Sequence, residues 1–172
     1  INVTQLKLGI NMFDGCENLS ILKFSDTIVG GARNKGISLA ACTFRNCRSL
    51  KTEEMKDSNG QVIATAFPFD KVEKFGANAF EGCTGLKNVK LAIGTGYFSY
   101  GINGVFKGCT GLVSADLSKD SSTTLYNETF ADCVNLKTVN LNTAKIKTIE
   151  VNAFKNCRSL VSLCDEEAAT EN

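Results

Sequence analysis

Residues 75–91 read FGANAFEGCTGLKNVKL, and the phrase Phe-x-x-Cys-x-x-Leu inside this stretch occurs six times along the chain. Successive copies are 31, 36, 26, 24 and 24 residues apart, and they begin at Phe13, Phe44, Phe80, Phe106, Phe130 and Phe154. Three fixed positions that recur in register indicate a repeat with a basic unit of about 24 residues. The two longest intervals imply insertions, at about residues 25–38 and 56–70.

The residues that flank the phrase predict strands. After the Leu of most copies, apolar and polar residues alternate, as in Val89–Lys90–Leu91, which is typical of a strand with one buried face. Five residues before the Phe, most copies carry another apolar residue, such as Leu39 or Leu125. A unit of this size cannot bury its own apolar side, so successive units must stack. We therefore predict a repeat solenoid of about six rungs, with a curved parallel sheet, short turns and a shared core of Phe, Leu and Cys.

The repeat resembles the BspA-like, treponemal-type leucine-rich repeats. The resemblance is clearest in residues 75–91 and in IEVNAFKNCRSLVSL at residues 149–163. It implies a right-handed, β-rich leucine-rich-repeat superhelix whose cysteines are buried free thiols. Most repeats of that family carry a proline just after the strand, where this chain has Ala92, Ser118 and Asn142. Proteins of this kind are largely secreted or surface-displayed, and some are adhesins for host matrix proteins or other cells.

Composition and charge limit the function classes. One leucine-rich-repeat domain is predicted over residues 1–164, followed at residues 165–172 by an acidic flexible tail without large apolar residues. The net charge of +1 argues against a nucleic-acid-binding face. No apolar run approaches the ~20 residues that cross a bilayer. Neither nucleic-acid binding nor membrane insertion of this segment is expected.

Six of the eight cysteines occupy the same repeat position. With no histidine and no Cys-x-x-Cys pair, the chain lacks Cys/His and Ser/His dyads and the common zinc spacings. Stacked strands lie ~4.8 Å apart, so spacing alone leaves a disulfide between rungs open, although parallel side-chain directions disfavour it. We interpret the six as reduced packing residues and predict no catalytic residue, metal or cofactor. They are Cys16, Cys47, Cys83, Cys109, Cys133 and Cys157.

The other two cysteines lie outside this register. Cys42 is two residues before a Phe, and Cys164 aligns with polar strand positions, so both are predicted to be accessible. A thiol-dependent enzyme or redox sensor that uses either of them is the remote alternative function.

Two further patterns lie in the insertions and near the middle of the chain. Asn59–Gly60 between extendable segments predicts a type I′ hairpin. Phe67 and Phe69, together with residues 97–100, give a local aromatic density of the kind found at interface anchors.

The strand positions that point away from the core form the predicted ligand-binding surface. Their mixed charge and moderate size favour a protein or glycan ligand over a small-molecule pocket. We predict a non-enzymatic binding module, and the family resemblance implies an adhesion module of a secreted or cell-surface protein, with host extracellular matrix or another cell surface as ligand. An intracellular protein-interaction scaffold is the alternative, because reduced cysteines suit a reducing compartment. The candidate binding residues are Lys23, Lys87, Asn88, Lys90, Ser114, Asp116, Lys137, Thr138 and Asn140.

Overall fold

A computed structural model describes residues 5–25, 27–28, 36–91 and 102–164. The predicted tail, most of the first insertion and residues 97–100 lie outside this part. The described residues form short strands and one 3₁₀-helix, Phe69–Lys71. The strands are β1 (Gln5–Leu8), β2 (Gly36–Leu39), β3 (Met55–Lys56), β4 (Val62–Ala64), β5 (Val72–Lys74), β6 (Asn88–Lys90), β7 (Ser114–Leu117), β8 (Thr124–Leu125), β9 (Thr138–Leu141), β10 (Thr148–Ile149) and β11 (Ser162–Cys164).

Strands from successive repeats pair in parallel. We call the segments centred on the six phrases rungs 1 to 6, from Phe13 to Phe154. Strands that precede the Phe form the sheets β1-β2-β5 and β8-β10, whereas strands that follow the Leu form the sheet β6-β7-β9-β11. In the latter sheet equivalent residues pair directly, as Val89 with Ala115 and Ala115 with Val139. Parallel pairing of one repeat with the next is the arrangement of a repeat solenoid.

The turns between these sheets carry a second hydrogen-bond ladder. At every junction the N–H of the Phe donates to the carbonyl of the residue just before the next rung's Phe, at 2.8–2.9 Å. The acceptors are Thr43, Ala79, Val105, Thr129 and Ala153. Every donor therefore belongs to the lower-numbered rung, and the stack has a direction.

Two positions in every rung have left-handed backbone, with φ between +55° and +75°. They lie two residues before and two residues after the Phe. Asn, Asp and Gly adopt this conformation most readily, which explains their frequency at these positions. Cys42 (φ +55°) and Glu128 (φ +57°) are the exceptions. The first set is Asn11, Cys42, Asn78, Gly104, Glu128 and Asn152, and the second is Gly15, Asn46, Gly82, Gly108, Asp132 and Asn156.

We expect Cys42→Asn to stabilise the fold by up to about 1 kcal/mol, because Asn tolerates the left-handed backbone better than Cys does. Urea unfolding of the two proteins measures the difference. Cys42→Ala is the matched control: it also removes the thiol but, unlike Asn, has no polar side chain that can hydrogen-bond the local backbone, so no gain is expected. Equal gains in both variants would assign the effect to the thiol instead of the backbone.

A column of stacked phenylalanine rings forms the centre of the core. Successive ring centroids are 5.2, 5.5, 5.7, 5.5 and 5.8 Å apart, and neighbouring planes are within 13° of parallel. Phe44, Phe80, Phe106 and Phe130 are fully buried, together with the Leu of the same rungs. The predicted core of Phe and Leu is therefore confirmed in rungs 2 to 5.

The second insertion contains the predicted hairpin, since β3 and β4 pair antiparallel. The predicted type I′ turn is wrong, because such a turn needs positive φ at both central residues and only Gly60 has it. The N–H groups of Asn59 and Gln61 both donate to Asp57 Oδ1 at 2.9 Å. This side chain holds a longer turn than the Asn-Gly pair alone suggests.

After the hairpin the chain returns between rungs 1 and 2. The Thr65 N–H donates to the Ser20 carbonyl (2.9 Å), and the Phe67 N–H donates to the Lys51 carbonyl (2.8 Å). This segment delivers Phe67 and Phe69 into the core, where Phe67 stands edge-on to Phe44 and Phe80. The interpretation of these two rings as interface anchors is wrong.

Candidate functional site

The polar sheet face consists of the outward side chains of β6, β7, β9 and β11. Strand alternation separates them from Val89, Ala115 and Val139, which are buried on the opposite side. Parallel registration aligns the outward positions in two rows across the strands. One row contains Asn88, Ser114, Thr138 and Ser162, and the other contains Lys90, Asp116, Asn140 and the backbone position of Cys164.

Polar contacts along these rows hold the side chains in place. Ser114 Oγ donates to Asn88 Oδ1 at 2.8 Å, and Lys90 Nζ lies 3.2 Å from Asp116 Oδ2. Asp116 Oδ1 accepts from the N–H and the hydroxyl of Ser118 at 3.0 and 2.7 Å. Partial burial would raise the pKa of Asp116, but the hydrogen bonds from Ser118 and the charge of Lys90 outweigh it and lower that pKa. Asp116 is therefore a fixed negative charge in the face.

Most of the predicted binding residues are accessible. Lys87, Asn88, Lys90, Lys137 and Thr138 are exposed, while Ser114 and Asp116 are half-buried.

Asn140 and Lys23 differ from the prediction. Asn140 is only 8% exposed, because its strand β9 lies between β7 and β11 in the sheet, so its predicted exposure is wrong. Lys23 is exposed, but the returning Thr65–Phe67 segment separates its rung from the sheet. Lys23 is therefore not part of the polar sheet face.

A shallow cleft of about 210 Å³ lies at one edge of this face, where β6 meets the second insertion. Its volume is below the ~300 Å³ of sites for drug-sized ligands, so it suits one side chain or one sugar ring of a larger ligand. The predicted binding residues include two that line the cleft, Asn88 and Lys90, and omit the other four. Thr52 was readable from the repeat, because it has the same repeat position as Asn88, whereas Asp70 lies in the insertion and has no counterpart in the repeat. The cleft is lined by Thr52, Phe67, Phe69, Asp70, Asn88 and Lys90.

The repeat cysteines form a ladder of thiol hydrogen bonds on the core side. In each of rungs 2 to 6 the S–H donates to the carbonyl of the preceding rung's Phe, at 3.0–3.1 Å. Burial raises the pKa of Cys47 to about 12, and it also raises the pKa values of Cys83, Cys109 and Cys133. Protonated buried thiols donate hydrogen bonds but are poor nucleophiles and poor metal ligands. Their role is packing.

The described cysteines are free thiols, and their burial depends on the rung. Cys47, Cys83, Cys109 and Cys133 are buried, which confirms the packing interpretation for the inner rungs. Cys16 is exposed and Cys157 is only half-buried, so the prediction of six buried thiols is wrong at the two ends.

The structure describes the side chain of only one of the two cysteines outside the register. Cys42 is partly accessible. The side chain of Cys164 lies outside the described part of the structure.

Comparison with known proteins identifies the family. The family model of the BspA type leucine rich repeat region matches residues 59–170 with six copies, and the chain belongs to this family. No curated protein and no solved structure matches it. Membership places the chain among repeat modules that are generally non-enzymatic and that bind proteins. The described residues contain no helix long and apolar enough to cross a membrane.

Proposed function

We propose that the chain is a non-enzymatic binding and adhesion module of a secreted or cell-surface protein, and that the polar sheet face and its cleft bind a protein or glycan ligand. The observation that carries this proposal is the alignment of accessible polar side chains in rows over a rigid, fully packed core. Such a surface is broad, and its side chains can vary without changing the core. The rungs follow a right-handed superhelix, with this face on the concave side.

The charges of the face favour an acidic ligand group. Lys87, Lys90 and Lys137 are exposed, whereas the carboxylate of Asp116 is mostly covered and paired with Lys90. The exposed charge of the sheet strands is therefore positive, whereas the exposed Asp70 adds one negative charge at the neighbouring cleft, which has room for a single side chain or sugar ring. An acidic side chain or an acidic sugar at the edge of the ligand would pair with Lys90 at the rim of the cleft.

The thiols are compatible with a location outside the cell. Reduced cysteines indicate a reducing compartment only if an oxidant could otherwise react with them. Oxidation of a cysteine requires an accessible thiolate. The four inner thiols are buried and their pKa values are raised, so an oxidising environment leaves them reduced. Their presence therefore gives no support to an intracellular scaffold.

A charge reversal tests the proposed surface. The full chain is screened for binding to an array of extracellular matrix proteins and glycans, and every hit is measured again with Lys90→Glu. We expect at least a tenfold weaker affinity for the authentic ligand, with only a small loss of thermal stability, because Lys90 is exposed and an ion pair made by an exposed lysine contributes little to folding.

Lys74→Glu is the matched control, since Lys74 is an exposed lysine on β5 in the other sheet. Its affinity should equal that of the parent protein. Equal losses in both variants would mean that general charge drives the binding, and no loss in Lys90→Glu would place the ligand elsewhere.

A further inference from the structure

The strand β6 is the edge of its sheet, although its rung lies in the interior of the stack. In the other strands of this sheet, an N–H two residues after the repeat Leu donates to a carbonyl of the preceding rung. These bonds join Ser114 to Lys87, Thr138 to Val113, and Ser162 to Lys137. The equivalent N–H of Asn88 donates instead to the side-chain hydroxyl of Thr52, at 3.2 Å. β6 therefore lacks the backbone partner that rung 2 would supply.

The second insertion explains why rung 2 does not pair with β6. The Lys51 carbonyl of rung 2 accepts from the Phe67 N–H of the returning segment, at 2.8 Å. Glu53 stands at the repeat position where β6 buries Val89, and an unpaired charge is costly to bury. Glu53 is exposed, and the chain leaves the sheet after Thr52 to form the hairpin. A gap remains between rung 2 and β6, and the cleft lies in this gap.

The alternation of backbone groups along β6 determines which of them face the gap. The Lys87 carbonyl accepts from β7, and the Leu91 N–H donates to the Asp116 carbonyl of β7, at 3.0 Å. Because every second residue of a strand in a parallel pair directs its backbone groups to the same neighbour, Asn88 and Lys90 face the gap. Within the described residues, the Asn88 carbonyl and the Lys90 N–H have no hydrogen-bond partner. β6 therefore presents one acceptor and one donor in the order in which strands pair.

Side chains around the gap carry both charges. Lys90 is exposed, and its Nζ lies 3.2 Å from Asp116 on β7, so a strand on the other side of β6 would bring a second acidic residue within its reach. Asp70 is exposed on the wall that the insertion supplies. Opposite charges on neighbouring strands stabilise their pairing. The gap therefore favours an extended segment with an acidic residue beside Lys90 and a basic residue beside Asp70.

We propose that an extended peptide segment of a protein partner binds in this gap as an added strand beside β6. The Lys90 N–H donates to a carbonyl of the segment, and the Asn88 carbonyl accepts from one of its N–H groups. In this mode of binding, backbone hydrogen bonds supply affinity and alternate side chains supply specificity. The inference rests on the proposed function and names the ligand of the cleft: a peptide backbone matches a donor and an acceptor along a strand edge, which favours a protein over a glycan.

Synthetic peptides with modified backbones test the added strand. The full chain is titrated with a panel of labelled peptides of about ten residues, in which Val and Thr alternate with Glu and Lys, and binding is followed by fluorescence anisotropy. Each peptide that binds is remade with N-methyl groups on one or the other set of alternate amides. The set that faces β6 should weaken binding at least tenfold, and the other set should have a much smaller effect. Equal effects of the two sets, or a panel in which no peptide binds, would overturn the proposal.

Variants of Lys90 test the same hydrogen bond from the side of the protein. Lys90→Pro removes the N–H that faces the gap, and proline is tolerated on an edge strand at such a position. Lys90→Thr is the matched control, since it also removes the charge but keeps the N–H. The proline variant should bind the peptide at least tenfold more weakly than the threonine variant does. Equal affinities of the two variants would contradict the added strand.

Hydrogen exchange measured by NMR gives a result that does not depend on the folding of either variant. In the free parent chain the Lys90 amide should exchange at least tenfold faster than the Leu91 amide, which is bonded to β7, and the peptide should slow it at least tenfold. A Lys90 amide as protected as that of Leu91 in the free chain would mean that the chain itself fills the gap, and would overturn the proposal. If array ligands lose affinity in Lys90→Glu while no peptide binds, the proposed function stands and the added strand is excluded.

Discussion

Phe106→Ala is expected to lower the free energy of unfolding by about 3–5 kcal/mol, the range for deletion of a buried aromatic ring. Phe106 is fully buried and stacks on Phe80 and Phe130 at 5.7 and 5.5 Å. Phe75 and Phe69 contact the same ring at 5.8 and 6.1 Å, so neighbours on several sides fix the cavity walls. Because a domain is stable by only about 5–15 kcal/mol, this variant should unfold well below the parent's urea midpoint.

The stacked column itself supplies the control for this prediction. Phe154 occupies the same repeat position but is half-buried and stacks on Phe130 alone, at 5.8 Å. Phe154→Ala should therefore cost only about 1–2 kcal/mol. Both variants are compared by urea unfolding at concentrations where the chain is monomeric. Similar costs for the two rings would show that burial within the column does not determine stability.

The repeat explains why so much of the core was predictable. A position that recurs in every copy must occupy the same environment in every rung, so one alignment assigns Phe44, Cys83 and Leu112 at once. The left-handed backbone sites carried a readable signal as well, because Asn, Gly or Asp recurs two residues before and after the Phe. That signal identifies Cys42 as a residue in an unfavourable conformation, which accessibility alone does not reveal.

The same alignment fails where the environment is not repeated. Cys16 and Cys157 share the sequence position of the buried thiols, yet they lie in end rungs that have a neighbouring rung on one side only within the described chain. Asn140 was placed outward by its strand parity, which is right, but parity does not report how closely the flanking strands cover a side chain. Neighbours in space, not positions in the repeat, determine exposure at these residues.

The second insertion has no register, so its role in the site was not predictable. Phe67 and Phe69 enter the core only because the hairpin returns between rungs 1 and 2, and that path depends on hydrogen bonds to Ser20 and Lys51. The same return brings Asp70 to the edge of β6 and completes the cleft. Half of the candidate site was therefore readable from the repeat, while the half supplied by the insertion depends on tertiary contacts.

Alkylation of the native protein is expected to divide the thiols into two groups. Cys16 is exposed and Cys42 is partly accessible, so both should react readily at pH 8. The four inner thiols should react only through opening of the fold. Iodoacetamide modification followed by peptide mass spectrometry measures each site, and the same reaction in denaturant, where all cysteines should react, is the control. Fast native modification of two or more among Cys47, Cys83, Cys109 and Cys133 would contradict the buried ladder.

The pH dependence of the alkylation rate tests the burial of Cys47 directly. Burial raises the pKa of Cys47 from 9.0 to about 12, so below pH 9 its thiolate is about a thousandfold scarcer than that of an unshifted thiol. Because the folded state prefers the protonated form, the stability from this preference is complete below pH 9 and is lost as the pH rises toward 12. Modification of Cys47 should therefore stay slow up to about pH 9 and then accelerate, both because thiolate forms and because the fold weakens.

Cys157, whose thiol is half-buried and whose pKa is also raised, should react at an intermediate rate. A Cys47 rate that levels off near pH 9, instead of continuing to rise toward pH 12, would mean that its thiol is neither buried nor held by the Phe13 carbonyl.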